Sequence, residues 1–469
     1  MRSLLGRFHR PMSRGAMGDM LTMNSLGDGS TLSLDFTTMG GVLDPRLTFT
    51  RASTVATYIN SSGYVATATT NEPRFDYSPT TIGEPKGLLI EGQTQNALFY
   101  SQDVTQATRW TIQGGIPISY TSVSATGGTA PDNTNTANLC TESTANNSRA
   151  IYQASTAAAG TYTASVWVKA GTGSTRYIRL VISSAAGNFV YVTVNISTGA
   201  VTQAAAAVGT ASAASATVTS YRGSWYRIGL TGTLAAAPNV FIVPLGSAAP
   251  SVPTGDYGRE AYLGNGSTFL IWGAQLELGS GASSYIPTGA SQVTRNADNC
   301  SMYDNTSSGS LSWLKNATQG TIVVESYKRF SGTSFAGALF GTEATSTKDF
   351  MLYQAIGTNW MSFNWGASEY TTNYTAVSSP FFLKAAVSFS PGSPTTKADS
   401  LVSINGSNSS LNTTPNIALP FSTNIFCVGS HALASGLVPS KNYADAAIRS
   451  IKFYPTASTA AQLNALTAI

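Results

Sequence analysis

The stretch FLIWGAQLEL at residues 269–278 has an apolar side chain at almost every second position, which is the period of a β-strand. A regular strand would place on one face Leu270, Trp272, Ala274, Leu276 and Leu278, and on the other face Phe269, Ile271, Gln275 and Glu277. Gly and Ser residues then break the pattern, and a polar run with an arginine follows Pro287. This order is typical of the last strand of a β-domain.

Alternating runs of the same kind fill residues 104–298 and predict a first β-sandwich. The apolar rows are Tyr162, Ala164, Val166 and Val168; Val190, Val192, Val194 and Ile196; and Tyr226, Ile228 and Leu230. Because each predicted strand has one apolar face, two antiparallel sheets must pack together to bury them. Trp110 and Trp272 are expected to pack together if the first and last strands are neighbours. Phe189 and Tyr191 oppose the valine row and are expected outside, where they would suit a subunit contact.

Residues 317–469 predict a second sandwich, after a Ser- and Asn-rich linker at 299–316. Asn405-Gly406 is a hairpin signal between two predicted strands. Near the C-terminus, Ser458 is expected to cap a helical turn that carries Leu463 and Leu466. The fold class is therefore all-β, with two antiparallel β-sandwiches of the jelly-roll type.

The region before the sandwiches divides into an arm at 1–40 and an extended leader at 41–103. The arm has no sustained period until Leu32, Leu34 and Phe36 alternate with polar residues. Its first part is either a loose tail or an arm that becomes ordered on docking to a partner. Prolines interrupt the leader, which is expected to lie along a surface through the aromatic residues Phe75, Tyr77, Phe99 and Tyr100.

Three groups of motifs resemble proteins of bacteriophage particles. WGAQLE, SYIPT and TRNAD resemble the end of jelly-roll modules in tail fibres and other virion surface proteins, and the module itself resembles the carbohydrate-binding-module type. LDPRLTFTRAS, NEPRFDYSP and GLLIEGQTQNALFYSQD resemble the leader before such modules, although Thr94-Gln95 stands where the family often has Arg-Thr. IRSIKFYPTASTAAQLNAL resembles the end of laminin-G or concanavalin-like domains.

Composition excludes several classes of function. The chain is 42% hydrophobic and only 10% charged, with a net charge of +4, and no Lys/Arg run interleaves with aromatic residues as in nucleic-acid binding. Nor is any segment apolar enough for membrane insertion, and the basic N-terminus lacks the apolar core of a signal peptide. Cys140, Cys300 and Cys427 are far apart and are expected to be free and buried. Neither a cofactor nor a metal site is predicted, and the low charge argues against an oxygen cage for Ca²⁺.

The sequence contains no catalytic motif for a hydrolase or a nucleotide-binding enzyme. His9 and His431 are the two histidines. A glycan depolymerase would need two carboxylates facing one sugar, for which the candidates are Asp256 with Glu260, and Asp349 or Glu369. Isolated acidic residues in loops are more often solvated or turn-forming. The prediction is that the protein is not an enzyme and has no catalytic residues.

A cluster of aromatic residues in the second predicted sandwich is the candidate ligand site. The run NWMSFNWGASEYTTNY contains Trp360, Trp365 and Tyr370, whose rings could stack on sugars. The alternative, favoured by the usual burial of large aromatic residues, is that they fill the core or a subunit contact.

Together these features predict a structural protein of a phage virion, on its tail or capsid surface. The leading hypothesis is a tail fibre or spike that is attached to other virion proteins by its N-terminal arm and adheres to host surface polysaccharide. The resemblance implies a homotrimer. A head decoration or cement protein is the alternative, and a glycan depolymerase is a third possibility.

Overall fold

The computed structural model of the protein describes residues 28–38, 40–113, 120–304, 309–328, 337–344, 350–354, 360–365, 368–373, 381–391, 398–408, 424–430, 432–433 and 443–469. These residues are nearly all in β-strands and their connections, so the all-β prediction is confirmed. The helical segments among them are a 3₁₀ turn at Thr254–Asp256, α1 (Ser312–Lys315) and α2 (Ala460–Thr467). No helix within these ranges has the length and apolar character needed to span a membrane.

The arm and the leader contain short strands, most of which pair with strands elsewhere in the chain. They are β1 (Leu32–Asp35), β2 (Thr48–Thr50), β3 (Ala56–Ile59), β4 (Val65–Ala68), β5 (Phe75–Tyr77), β6 (Pro85–Ile90) and β7 (Thr94–Asn96).

The first sandwich is built from strands in the middle of the chain. They are β8 (Thr111–Gln113), β9 (Tyr120–Gly128), β10 (Ala137–Glu142), β11 (Asn146–Asn147), β12 (Ala150–Ala154), β13 (Gly160–Ala170), β14 (Tyr177–Ala185), β15 (Asn188–Asn195), β16 (Val201–Val208), β17 (Ser212–Tyr221), β18 (Trp225–Leu234), β19 (Asn239–Leu245), β20 (Tyr262–Leu263) and β21 (Thr268–Leu278). One sheet has the order β17-β18-β13-β21-β10-β9, and the other has the order β16-β15-β14-β19-β12-β8. The apolar rows predicted on β13, β15 and β18 all lie in the core between these sheets.

A β-bulge in β21 overturns the prediction of one continuous face for this strand. Ser165 is opposite Gln275 but Trp167 is opposite Trp272, so β21 has one residue more than β13 between these pairs. Gly273 at the bulge has φ +64°, which suits glycine. As a result Phe269 and Ile271 face the core before the bulge and Ala274 and Leu276 face it afterwards. Trp272 lies on the outer side, and Leu278 is 64% exposed.

Part of each outer face of the first sandwich is covered, which corrects two further expectations. Phe189 is fully buried in an outer apolar cluster with Phe241, under the half-buried Tyr257 of the 3₁₀ turn, so it is not an exposed contact residue. Trp110 is buried in the core between the sheets. Trp272 belongs to a separate cluster with Trp167, Trp225 and Tyr285 that packs under the β3–β4 hairpin, so the two tryptophans are not core partners.

The second sandwich contains the C-terminal strands. After β22 (Val293–Arg295) and β23 (Asn299–Tyr303) come β24 (Gly320–Lys328), β25 (Gly337–Ala344), β26 (Phe350–Gln354), β27 (Trp360–Trp365), β28 (Ser368–Asn373), β29 (Phe381–Pro391), β30 (Ala398–Ile404), β31 (Ser407–Asn408), β32 (Ile425–Val428), β33 (Ala432–Leu433) and β34 (Ala446–Tyr454). One sheet runs β31-β30-β29-β24-β34-β6-β5, with β1 also paired to β34, and the other runs β2-β23-β32-β25-β26-β27-β28, with β33 paired to β25. Both sheets contribute to one core.

Two local predictions for this sandwich can be compared with the structure. Asn405 and Gly406 form the turn between β30 and β31, both with positive φ, so the hairpin prediction is confirmed. Helix α2 buries Leu463 and partly buries Leu466 as expected, but its N-cap is Thr459 in a capping box with Gln462. Ser458, the predicted cap, instead bonds Thr321 and Ser388.

Segments predicted as arm, leader and linker are integral parts of the second sandwich. Strand β1, from the 1–40 segment, pairs with residues 450–453 of β34. Strand β6, from the 41–103 segment, pairs with residues 446–448 of the same strand. Strand β23, in the 299–316 segment, lies between β2 and β32. These segments differ from the expected linker and surface leader because their alternating apolar residues fill the sandwich core. Residues 1–27 lie outside the described residues.

Candidate functional site

A buried ion network joins the leader to the segment that follows the first sandwich. It consists of Arg51, Arg74, Glu91, Arg295 and Asp298, whose side chains are all at most 1% exposed. Arg51 Nη1 donates to Asp298 Oδ1 at 3.0 Å, and Arg74 Nη2 donates to Asp298 Oδ2. Arg74 Nη1 lies 2.8 Å from Glu91 Oε2, and Arg295 Nη1 lies 3.3 Å from the same oxygen.

Main-chain bonds fix the network in place. Glu91 N donates to Asp298 Oδ2 at 2.9 Å, and Asp298 N donates to Glu91 O at 3.0 Å. Ser284 donates through N and Oγ to the Glu91 carboxylate at 2.8 and 2.6 Å. Burial alone would lower the pKa of Arg74, but the charges of Asp298 and Glu91 outweigh burial and the pKa is raised. The network is thus a paired structural junction, which is the condition under which buried charges are tolerated.

A second buried carboxylate, Glu277, orders the segment 279–285. Its oxygens accept hydrogen bonds from Ser283 N at 3.0 Å, from Ser283 Oγ, and from Gln275 Nε2 at 2.5 Å. Burial raises the pKa of Glu277, and the hydrogen bonds from Ser283 and Gln275 and the charges of Arg227 and Arg295 offset burial only in part. Arg227 also donates to Ser283 O at 2.8 Å and to Ser165 Oγ at 2.9 Å. The segment is therefore held on the outer face of β13, β18 and β21.

An open groove of about 660 Å³ lies beside this segment, between the first sandwich, the leader and Tyr327 of β24. We call it the hydroxyl groove because hydroxyl side chains of neighbouring strands line it: Thr163, Ser165, Ser215, Thr217, Thr219 and Thr231. The Thr163 and Thr231 hydroxyl oxygens are 2.8 Å apart across the β13–β18 pair. The half-buried tyrosines Tyr77, Tyr221 and Tyr327 stand at its sides.

Strand alternation explains why hydroxyl groups collect there. On β17 and β18 the core-facing residues are apolar, so the intervening positions carry Ser, Thr, Gly and Arg227 on the outside. Gly229 forms part of the floor, and a Cβ added there would come within 2.6 Å of Thr217 Oγ1. The small residue therefore leaves room for the Thr217 side chain at the groove.

A larger cleft of about 1280 Å³ opens on the other side of the segment 279–285. We call it the amide cleft because its lining includes the amide side chains of Asn71, Gln93, Gln95, Asn296 and Asn299. Arg51, Arg295, Glu277 and Asp445 also line it. Burial raises the pKa of Asp445 to about 6, against the opposing effect of a hydrogen bond from Gly92 N.

The charged side chains at both openings have partners. In the hydroxyl groove Lys86 Nζ lies 2.6 Å from Glu84 Oε1 and 4.3 Å from the centre of the Tyr327 ring. Asp76 Oδ1 accepts from Ile59 N at 2.7 Å. In the amide cleft Arg51 and Arg295 belong to the ion network. The two openings thus offer mainly uncharged hydroxyl, amide and aromatic groups.

The acidic candidates from the sequence are engaged in local structure where the structure describes them. Asp256 pairs with Arg259 three residues later, and Glu260 Oε1 accepts from Ser251 N at 2.9 Å. These contacts agree with the turn-forming interpretation of both residues. Asp349 and the side chain of Glu369 lie outside the described residues, as do His9 and His431.

The aromatic candidates lie on a described strand pair, but their side chains lie outside the described residues. Trp360 and Trp365 are the first and last residues of β27, and Tyr370 on β28 is opposite Phe363. Whether these rings bind a ligand, as predicted, stays a prediction.

The cysteine prediction is confirmed for all three residues. Cys140, Cys300 and Cys427 are buried and take part in no disulfide. Burial raises the thiol pKa values of Cys140 and Cys300 above the usual range, which makes these two unreactive.

The residues that build the two openings were missed in the sequence. The hydroxyl groove depends on three distant segments, because Tyr77, Thr217 and Tyr327 come from the leader and from both sandwiches. The one available signal was the alternation of Ser and Thr with apolar residues in 215–219, which marks a polar outer face but no ligand.

The chain has only a low similarity to proteins of known structure. No protein-family model and no curated protein sequence matches the chain. Among solved structures, the CBM40 domain of the Ruminococcus gnavus IT-sialidase bound to α2,3-sialyllactose aligns at 15% identity over 36% of this chain and 91% of that one, with a TM-score of 0.28. A leech intramolecular trans-sialidase aligns at 17% identity over 36% of this chain and 26% of that one, with a TM-score of 0.28. The binding domain of botulinum neurotoxin DC, in complex with rat synaptotagmin II, aligns at 10% identity over 37% and 40% of the two chains, with a TM-score of 0.27. Likeness at this level carries no conclusion about function.

Proposed function

We propose that this chain is a bacteriophage virion surface protein, a tail fibre or spike, that adheres without catalysis to a glycan on the bacterial surface. The observation that carries the adhesion part is the hydroxyl groove, an open channel of about 660 Å³ lined by rows of Ser and Thr and flanked by tyrosines.

The chemistry of the groove suits a sugar. A hydroxyl group both donates and accepts hydrogen bonds, as sugar hydroxyls do. Tyrosine rings add an apolar face for the C–H side of a pyranose and a polar edge for its hydroxyls. Thr217 and Ser215 are exposed on β17, at the end of its sheet, so they are open to a ligand.

The virion part of the proposal is supported by the resemblance of the leader and of the 269–300 motifs to phage proteins. Residues before β1 would attach the protein to other virion proteins, and a homotrimer is the expected assembly.

A glycan array of bacterial capsule and O-antigen polysaccharides tests the adhesion. The chain should bind a subset of the array, and Thr217→Arg should weaken that binding about tenfold or more by filling the groove. Thr210→Arg is the matched control, since Thr210 is exposed in the turn between β16 and β17 and outside the groove lining. If Thr217→Arg binds as well as Thr210→Arg, the groove is not the binding site. If the unaltered chain binds no polysaccharide on the array, the adhesion proposal is wrong.

A head decoration or cement role is the second candidate. It is favoured by the interlocking of leader strands with both sheets of the second sandwich and by the buried ion network. Such a joint suits a mechanical role. Particles lacking the protein would then lose their DNA at a lower temperature than complete particles. If the protein is an adhesin, particles lacking it would keep their capsid stability but would not attach to the host.

A depolymerase is the third candidate, and one observation favours it. Glu277 and Asp445 both line the amide cleft and both have raised pKa values, a property of the acid in glycan hydrolysis. The hydrogen bonds that Glu277 accepts from Ser283 and Gln275 instead indicate a structural role. Release of reducing ends from a bound polysaccharide, abolished by Glu277→Gln, would support hydrolysis over adhesion.

A further inference from the structure

The hydroxyl groove and the amide cleft share a wall. Ser280 and Gly281 line both of them, so the two openings meet on opposite sides of one short stretch of chain. Gly281 has no side chain that would separate the two openings further. Ser280 and Gly281 are both half-buried. The Ser280 hydroxyl has no hydrogen-bond partner although it is buried.

Both openings present exposed, uncharged polar side chains, beside the exposed Leu278 in the cleft and the Glu84–Lys86 pair in the groove. The groove presents the exposed hydroxyls of Ser215 and Thr217, and the cleft presents the exposed side chains of Asn71, Gln93 and Gln95. The charged groups at both openings are already paired or hydrogen-bonded, as described above. An anionic or cationic ligand would therefore gain little, whereas a chain of uncharged hydroxyl-bearing units could bond along the whole length.

We infer that the hydroxyl groove and the amide cleft are two sections of one site for a linear, uncharged polysaccharide that crosses the protein at Ser280 and Gly281. This inference rests on the proposed adhesion and makes it more specific. The site would take an internal stretch of a polymer. It does not depend on a terminal sugar.

The two sections would act on one ligand, so affinity should depend on ligand length. A fragment that occupies one section gains only the contacts of that section. A fragment long enough to occupy both binds the second section intramolecularly and so gains affinity without a new binding partner.

The test uses the full chain and size-fractionated fragments from partial acid hydrolysis of an uncharged bacterial surface polysaccharide, with calorimetry as the readout. Long fragments should bind about tenfold or more tighter than short ones. Gln93→Arg should remove this advantage, so that long fragments bind no more tightly than short ones. Thr217→Arg should weaken the binding of both. Gln319→Arg is the matched control, because Gln319 is exposed and lines neither opening.

The outcomes separate this inference from the adhesion proposal. If short and long fragments bind equally and Gln93→Arg has no effect, the continuous site is wrong while adhesion in the hydroxyl groove stands. If Thr217→Arg also leaves binding unchanged, the groove itself is wrong. Thermal unfolding of each variant, matched to the unaltered chain, shows that a loss of binding is not a loss of fold.

Discussion

Asp298 is the residue on which the other members of the buried ion network converge. Its side chain is fully buried, and it accepts from Arg51, from Arg74 and from the backbone of Glu91. Removing one member of such a group leaves the others buried without compensation, which costs more than the intact group contributes. Asp298 therefore controls stability far more than an exposed carboxylate does.

We expect Asp298→Asn to lower the free energy of unfolding by about 3–5 kcal/mol, measured in urea. Asp256→Asn is the control, because its ion pair with Arg259 is partly exposed and worth about 0–1 kcal/mol. Equal losses in the two variants would show that the buried network is not a special source of stability.

The stability of the fold also depends on Gly273, because the backbone conformation at this position suits glycine. Its φ of +64° and a distance of 2.8 Å from an added Cβ to the Trp167 ring leave no room for a side chain. Gly273→Ala should destabilise the fold by about 1–3 kcal/mol. Gly289→Ala, where an added Cβ meets nothing within 4 Å, should be nearly neutral in the same urea titration.

Asp445 should make stability depend on pH. Burial raises its pKa in the folded state from 3.8 to about 6, so the folded state holds the proton more tightly than the unfolded state. Glu91 also raises the pKa, while Arg295 and Lys328 oppose it. The stabilisation is fully present below 3.8 and is lost as the pH rises through about 6.

The variant Asp445→Asn stays neutral at every pH. The difference in the free energy of unfolding between this variant and the unaltered chain should therefore shift in favour of the variant between about pH 4 and pH 7. Urea unfolding of both proteins at several pH values measures this difference. Parallel profiles for the two proteins would contradict this assignment.

At the scale of elements, strand β1 belongs to the second sandwich although it lies at the far end of the chain. Leu32, Leu34 and Phe36 are buried in the core beside β34. Leu34→Ala should cost about 2–5 kcal/mol in unfolding free energy, as for other core leucines. Leu263→Ala, at a residue 72% exposed, is the comparison and should change little. A neutral Leu34→Ala would place β1 outside the cooperative fold.

The positions of the strands in the sequence were more predictable than their pairing into sheets. Alternation located β13, β15 and β18 and their buried faces, because a strand with one apolar face has one stable orientation. It failed in β21, where a bulge exchanges the two faces, and on Phe189, because a distant turn covers that side. The pairing of β1 and β6 with β34 was also missed, since strand order depends on long-range contacts. For the same reason the groove, built from distant segments, could not be read from local pattern.

At the scale of the whole molecule, the leader connects the two sandwiches. Its strands β2, β5 and β6 pair within the second sandwich, as does β1 of the arm, while the β3–β4 hairpin covers the outer aromatic cluster of the first. Both openings lie along this junction, so the proposed ligand would contact the leader as well as the first sandwich. The protein should therefore bind a glycan as one unit.

That the chain belongs to a virion, and where it lies on the particle, are both predictions at this scale. An antibody to residues 317–469 should label the tail tip or tail sides of intact particles, seen by electron microscopy. Labelling of the head would instead favour the cement role and would assign Trp360, Trp365 and Tyr370 to subunit contacts.

The most direct test of adhesion at the hydroxyl groove is a crystal structure of the chain with a bound polysaccharide fragment. The proposal predicts sugar density against Thr217 and Tyr221, continuing over Gly281 when the fragment is long. Density on the β27–β28 hairpin, with an empty groove, would contradict it and make the aromatic residues of that hairpin the binding site.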